Sequence, residues 1–147
     1  MTPQPAPVPS ARTTNHPSVP VFPGVDRPRV LHAEVWLPRA IEDVFAFFSN
    51  AFNLNQLTPP WLAFRILTPP PITMRVGALI DYRIRLKVLP MRWTSEITAY
   101  DPPFRFVDEQ RRGPYTLWHH EHAFQAVRDG TLVTDKVHYA VPFNSTR

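Results

Sequence analysis

From Leu79 onward apolar and polar residues alternate at period two through one segment after another, broken only by short proline- and glycine-bearing turns. Only extended strands send successive side chains to opposite faces, so this half of the chain is committed to an antiparallel sheet with one apolar face. Between Leu79 and Leu89, Ile80, Tyr82, Ile84, Leu86 and Val88 face one way and Asp81, Arg83, Arg85 and Lys87 the other. Pro90 is read as a turn into Met91–Tyr100, where Trp93, Ile97 and Ala99 share a face. Asp101-Pro102-Pro103 turns into Phe104–Gln110, and Gly113-Pro114 into Tyr115–Val127. Asp129-Gly130 is the strongest hairpin signal and leads to Leu132–Val141.

What precedes the sheet has another period. Val30–Leu37 reads as a strand, and Pro38 suits the first turn of a helix. Ile41, Val44, Phe45 and Phe48 then form a helical stripe from which Arg39, Glu42 and Asp43 stay clear. Phe52, Leu54 and Leu57 suggest a second short helix, stopped by Pro59 and Pro60, and Trp61–Leu67 reads as a strand closed by prolines. The expected fold is therefore α+β, a curved antiparallel sheet of about seven strands with two short helices between the first and second.

Residues 1–28 hold eight of the nineteen prolines and few large apolar side chains. Such a segment buries too little surface to offset its ordering entropy, so it is expected to be a disordered proline-rich tail, with the folded domain over residues 29–147. Sixteen Lys and Arg against twelve Asp and Glu are spread along the chain without forming a basic stripe, which disfavours nucleic acid. There is no cysteine, hence no disulfide framework and no Cys-based zinc or redox site. No apolar run reaches the ~18 residues of a membrane span; a cytoplasmic location is the expectation.

The densest chemistry lies between Arg112 and Phe124. Read as a strand, it puts Trp118, His120, His122 and Phe124 on one face and Tyr115, Leu117, His119 and Glu121 on the other. His120 and His122, joined by His138 from the neighbouring strand, have the residue types for a three-nitrogen zinc site. Cavity-wall or solvated histidines are the preferred reading, and no metal or cofactor is assigned. Glu121 beside His119 is an acid–base pair if that face meets a ligand, and a solvated cross-strand pair if it does not. His120, His122 and Glu121 are the residues open to a catalytic role. Tyr82, Trp93, Trp118, Phe124 and Tyr139 are rings suited to an apolar cavity, His120 and His122 would join them, and Arg112 at the turn is placed to meet an acidic head group at its mouth.

Val30 to Phe143 resembles the START-like helix-grip (SRPBCC) superfamily, in a bacterial ligand-binding branch near the polyketide cyclase/dehydrase and coenzyme Q-binding types. The resemblance rests on Leu37-Pro38 with Val44-Phe45 and Phe48, Leu67-Thr68-Pro69-Pro70, Gly77–Tyr82, Trp93–Ile97, Asp101–Asp108, Arg112–Tyr115, Trp118-His119-His120 and Tyr139–Phe143. It implies a sheet gripping a long C-terminal helix around a largely apolar cavity. The sequence departs from that pattern at its end: after Val141 only Pro142-Phe143-Asn144-Ser145-Thr146-Arg147 remain, with Asn144 where a glycine is familiar. The domain thus reads as C-terminally truncated, its open face covered by the tail or by a second copy in a homodimer.

The resulting expectation is a binding or carrier domain for a hydrophobic small molecule such as a lipid, a quinone or a polyketide-like compound. One alternative is a cyclase, aromatase or dehydrase using His/Glu acid–base catalysis. Another is an interaction module whose apolar sheet face binds a protein partner.

Overall fold

The computed structural model describes residues 20–142. Most of the proline-rich segment and residues 143–147, including Phe143 and Asn144, lie outside the described residues. The described part forms one seven-stranded antiparallel sheet in the order β1-β7-β6-β5-β4-β3-β2. The strands are β1 (Arg29–Leu37), β2 (Arg65–Ile66), β3 (Leu79–Leu86), β4 (Leu89–Asp101), β5 (Arg105–Arg112), β6 (Leu117–Val127) and β7 (Gly130–Ala140). Helices α1 (Ile41–Phe48) and α2 (Leu54–Leu57) lie between β1 and β2, joined by a 3-10 turn at Ala51–Asn53. The long return that pairs β1 with β7 leaves β3 to β7 as a meander, as the alternation requires. Among the described residues no helix follows β7.

The helical stripe does what its spacing predicts. Val44 and Phe45 are buried, and Ile41 and Phe48 pack against the same core. Phe45 is the hub, its ring 5.2 Å from Phe124, 5.8 Å from Tyr100 and 5.9 Å from Phe106. Glu42 and Asp43 sit in the first turn, where negative charge complements the helix dipole. The helix begins at Ile41 and not at Pro38, because the chain first bends back so that the Thr131 hydroxyl donates to the Arg39 carbonyl at 2.8 Å.

Several turns fall elsewhere than the composition suggests. Trp61 and Leu62 belong to a 3-10 turn, not a strand, because Pro60 presets its first position, and left-handed Ala63 ends it; β2 keeps only Arg65–Ile66. The β3–β4 hairpin turns at Lys87-Val88, with Lys87 left-handed, while Pro90 pairs with Arg85 inside β4. Proline is tolerated there because β5 does not begin pairing with β4 until Thr94. The β6–β7 hairpin turns at Arg128-Asp129, both at positive φ, and Gly130 already pairs with Val127. Gly130 is needed for room: a Cβ there would lie 2.4 Å from the Leu37 carbonyl oxygen and 2.6 Å from the Trp36 ring.

A bulge at Thr98, between the pairs Ile97–Asp108 and Ala99–Val107, resets β4. Ala99 thereby leaves the face of Trp93 and Ile97, and Tyr100 turns in towards Phe45. At the opposite edge, Val30, Leu31, Val35 and Trp36 of β1 are about half exposed. Within the described end of the proline-rich segment, Phe22 packs on the convex face against His119 and His138, each with ring centres 5.2 Å away.

Candidate functional site

Between the concave face of the sheet and the short helices lies a cavity of about 440 Å³. Ile80, Tyr82 and Ile84 of β3, Trp93, Ser95 and Ile97 of β4, Phe106 and Asp108 of β5, and Trp118, His120 and His122 of β6 form its floor. Phe48, Leu54, Trp61, Leu62, Phe64 and Met74 enclose it from the helical side, and Pro114 and Tyr115 close one end. The wall is built by alternation: every second residue of each strand points in, and those positions are apolar or aromatic almost throughout.

The few polar groups are gathered and mutually bonded. Ser95, buried, accepts the Trp93 indole N–H at 3.0 Å and lies 3.1 Å from the Tyr82 hydroxyl. Burial, then the charge of Asp108, raises the Tyr82 pKa well above its ordinary value, against a smaller lowering by Ser95, so the phenol stays protonated.

The other polar group is a cluster of two histidines and two carboxylates. His122 Nε2 lies 2.7 Å from Asp108 Oδ2, and His122 Nδ1 lies 3.2 Å from Asp135 Oδ1. His120 Nε2 lies 2.9 Å from that same Asp135 oxygen, and His120 Nδ1 is 3.8 Å from Asp108 Oδ2. The two imidazoles stack at 3.7 Å, and Phe106 stacks on His122 at 4.1 Å. The register produces this directly: Asp108 pairs with His120 across β5–β6, and Asp135 with His122 across β6–β7.

Burial alone would lower the His122 pKa, but hydrogen bonds to Asp108 and Asp135, together with their charges, outweigh it and push it up to about 9. Burial raises the Asp108 pKa, yet the hydrogen bond from His122 and the charges of His122, His120 and His119 hold it below the ordinary carboxylate range. Asp135 is held low in the same way, against its own desolvation, by hydrogen bonds from both histidines. At neutral pH His122 is therefore an imidazolium locked between two carboxylates. It is a proton donor and a centre of positive charge, not a free base.

Of the residues singled out in the sequence, Tyr82, Trp93, Trp118, His120 and His122 line the cavity. Phe124 is buried in the core beside it, and Tyr139, on the same face as its cross-strand partner Trp118, packs against Trp118 and Tyr115 outside the lining. Arg112 is exposed and outside the lining, because a register shift after Gln110 pairs it with Thr94 on the far face. Glu121 is on the convex face and bonds Arg105 at 2.7 Å, the cross-strand pair expected if that face meets solvent. The trio His120, His122 and His138 does not assemble: His138 pairs with His119 on the convex face, since β7 meets β6 one residue out of phase with that arrangement.

Tyr115 also departs from its expected face. It precedes β6, in a turn clamped by Gln110, whose side chain donates to the Tyr115 carbonyl at 2.7 Å and accepts its N–H at 3.1 Å. The turn swings its ring into the cavity, 4.8 Å from Trp118. Asp108 and Asp135 were missed by sequence reasoning. The available signal was their parity, since each is the charged exception on an apolar inward row, Phe106-x-Asp108 and Val133-x-Asp135-x-Val137.

Comparison with known proteins agrees with this architecture. The chain is similar in structure to protein CV1439 from Chromobacterium violaceum (13% identity, TM-score 0.65, 77% of this chain and 81% of that one). It is likewise similar to protein Ms6760 from Mycobacterium smegmatis (18%, 0.59, 76% and 73%). A third match is a norcoclaurine synthase point mutant from Thalictrum, in complex with a transition-state analogue (16%, 0.60, 80% and 78%). At these identities the likeness is one of fold, the helix-grip. No curated protein matches the sequence. The family model described as polyketide cyclase / dehydrase and lipid transport matches residues 37–146, and the chain belongs to that family.

Proposed function

We propose that this chain binds and carries a hydrophobic small molecule, of the lipid, quinone or polyketide-like class, in the cavity beneath α1 and α2. The observation that supports the reading is the cavity itself. About 440 Å³ of space with aromatic and aliphatic walls and one polar pole is the make-up of a small-molecule site. Burial supplies the affinity, Trp93, Trp118 and Tyr82 offer ring faces for stacking, and the pole at His120 orients one oxygen-bearing end of the ligand. In this reading residues 29–147 are the ligand-binding domain and 1–28 a proline-rich tail, in a cytoplasmic protein. Among the described residues no helix is long and apolar enough to cross a membrane.

The test is titration of the full chain with the fluorescent probe 1-anilinonaphthalene-8-sulfonate, alongside native mass spectrometry of the freshly purified protein. One probe per chain is expected, quenching Trp93 and Trp118, with binding lost in an Ile84→Trp variant that fills the cavity. Equal binding by the filled variant would place the probe elsewhere and end the reading.

A second reading, acid–base turnover of a bound polyketone, is supported by the 2.7 Å contact of His122 with Asp108 at the cavity wall and by the family's description. His122 would then act as proton donor to a developing enolate. Turnover of a poly-β-ketone probe by the wild-type chain, abolished in His122→Gln with probe binding retained, would establish it. Binding without turnover leaves the carrier reading alone.

A further inference from the structure

The four residues of the polar pole are arranged in two tiers. Asp135 Oδ1 receives one nitrogen from each ring, His120 Nε2 at 2.9 Å and His122 Nδ1 at 3.2 Å. The other nitrogens, His120 Nδ1 and His122 Nε2, turn together towards Asp108 Oδ2, at 3.8 and 2.7 Å. One ligand atom from each of Asp108, His120 and His122 falls within 4.8 Å of the other two. Two imidazole nitrogens and one carboxylate oxygen converging on a point, with a further carboxylate fixing both rings from behind, is the organisation of a metal centre with its outer shell.

We propose that His120, His122 and Asp108 bind one divalent transition-metal ion, zinc(II) being the ion this donor set fits, with the remaining coordination open to the cavity. The donor set is of the two-histidine, one-carboxylate type that keeps a position free for water or a ligand oxygen. Asp135 is a positioning residue: by accepting from both rings it leaves the nitrogens that face Asp108 free to coordinate. Ring placement is fixed independently of the ion by the stack of Phe106, His122 and His120. The three side chains are largely buried but reachable from the cavity, with 12%, 18% and 21% exposure for His122, Asp108 and His120. A dication there meets two carboxylates, so its charge is balanced in a poorly solvated wall. The ion replaces the proton held between His122 and Asp108. It gives the cavity an anchor for a ligand that carries paired oxygens, such as an enolised diketone or a catechol.

The experiment is isothermal titration of the chelator-treated full chain with Zn²⁺, repeated with Co²⁺ while following its visible absorption. One ion per chain is expected, with cobalt bands characteristic of nitrogen and oxygen donors. Binding should be lost in His120→Ala and in Asp108→Asn, weakened about ten- to a hundred-fold in Asp135→Asn, and unchanged in the convex-face variant His119→Ala. Absence of stoichiometric uptake by the folded wild-type chain overturns the proposal, as does uptake that survives Asp108→Asn or disappears in His119→Ala. Should a variant fail to fold, Co²⁺-induced broadening of wild-type NMR signals decides the matter. Broadening centred on His120 and Trp118 supports the site, and broadening centred on His32 or His119 rules it out. Probe binding measured in chelator reports on the cavity alone, so failure of the metal site is distinguishable from failure of the carrier reading.

Discussion

His122 Nε2 and Asp108 Oδ2 meet at 2.7 Å across the β5–β6 pair, with the Phe106 ring stacked on the imidazole. Few contacts in the molecule combine so short a distance with so little solvent. Replacing Asp108 with Asn keeps the shape and removes the charge, leaving His122⁺ with Asp135 alone. Breaking a buried ion pair costs 3–5 kcal/mol, and because Asp135 still shares the proton the expected loss is at the low end, about 3 kcal/mol. Urea unfolding in the presence of chelator measures it; a change within experimental error would mean that the pair adds nothing to stability.

Ser95 is the hydroxyl on which two cavity rings depend. Ser95→Ala strands the buried indole N–H of Trp93 and frees the Tyr82 hydroxyl. An unpartnered buried donor costs about 1–3 kcal/mol, so the urea midpoint should fall at unchanged slope. A rise in stability would show that water or another acceptor takes the place of Ser95.

Phe45 is the side chain through which α1 holds the sheet, touching Tyr100, Phe106 and Phe124. Phe45→Ala should destabilise the chain by about 3–5 kcal/mol, as deletion of a core ring does. Hydrogen exchange should show α1 losing protection before β5 to β7, whose ladder does not need the helix. Uniform loss across both would contradict this order.

His138 supplies a pH dependence on the convex face. Burial under Phe22, then the charges of Lys136 and His119, lower its pKa, and Glu121 only partly opposes them. The unfolded chain therefore binds this proton more readily than the folded one. The contribution of neutral His138 is fully present above about pH 6.5, the ordinary histidine value, and is lost as the pH falls from there through the lower folded-state value. Thermal unfolding from pH 8 to 5 should show a steeper acid decline in wild type than in His138→Gln. Parallel curves would refute the assignment.

How much was legible beforehand follows from periodicity. The alternation of Ile80, Tyr82 and Ile84, and of Trp118, His120 and His122, named the inward rows correctly because a strand leaves each side chain only two directions. Ala99, Tyr115 and Arg112 escaped that logic, since each follows a bulge or a turn where the count of two is reset. Turn positions slipped for a related reason. Pro90 and Gly130 look like turn residues, yet proline can sit beside an unpaired edge and glycine can be chosen for a close approach.

The sequence by itself determined the seven-stranded α+β architecture, the helical stripe from Ile41 to Phe48 and the face on which His120 and His122 lie, because these are local consequences of side-chain period. Only the tertiary structure decided that His138 turns away and that Asp108 and Asp135 complete the cluster. Those pairings depend on the register between consecutive strands of the meander, which is set by where the intervening turns fall. The parity of one strand names the face of Asp108 or Asp135, but not which residue of the next strand it will meet, and a shift of one residue in the pairing would undo the cluster.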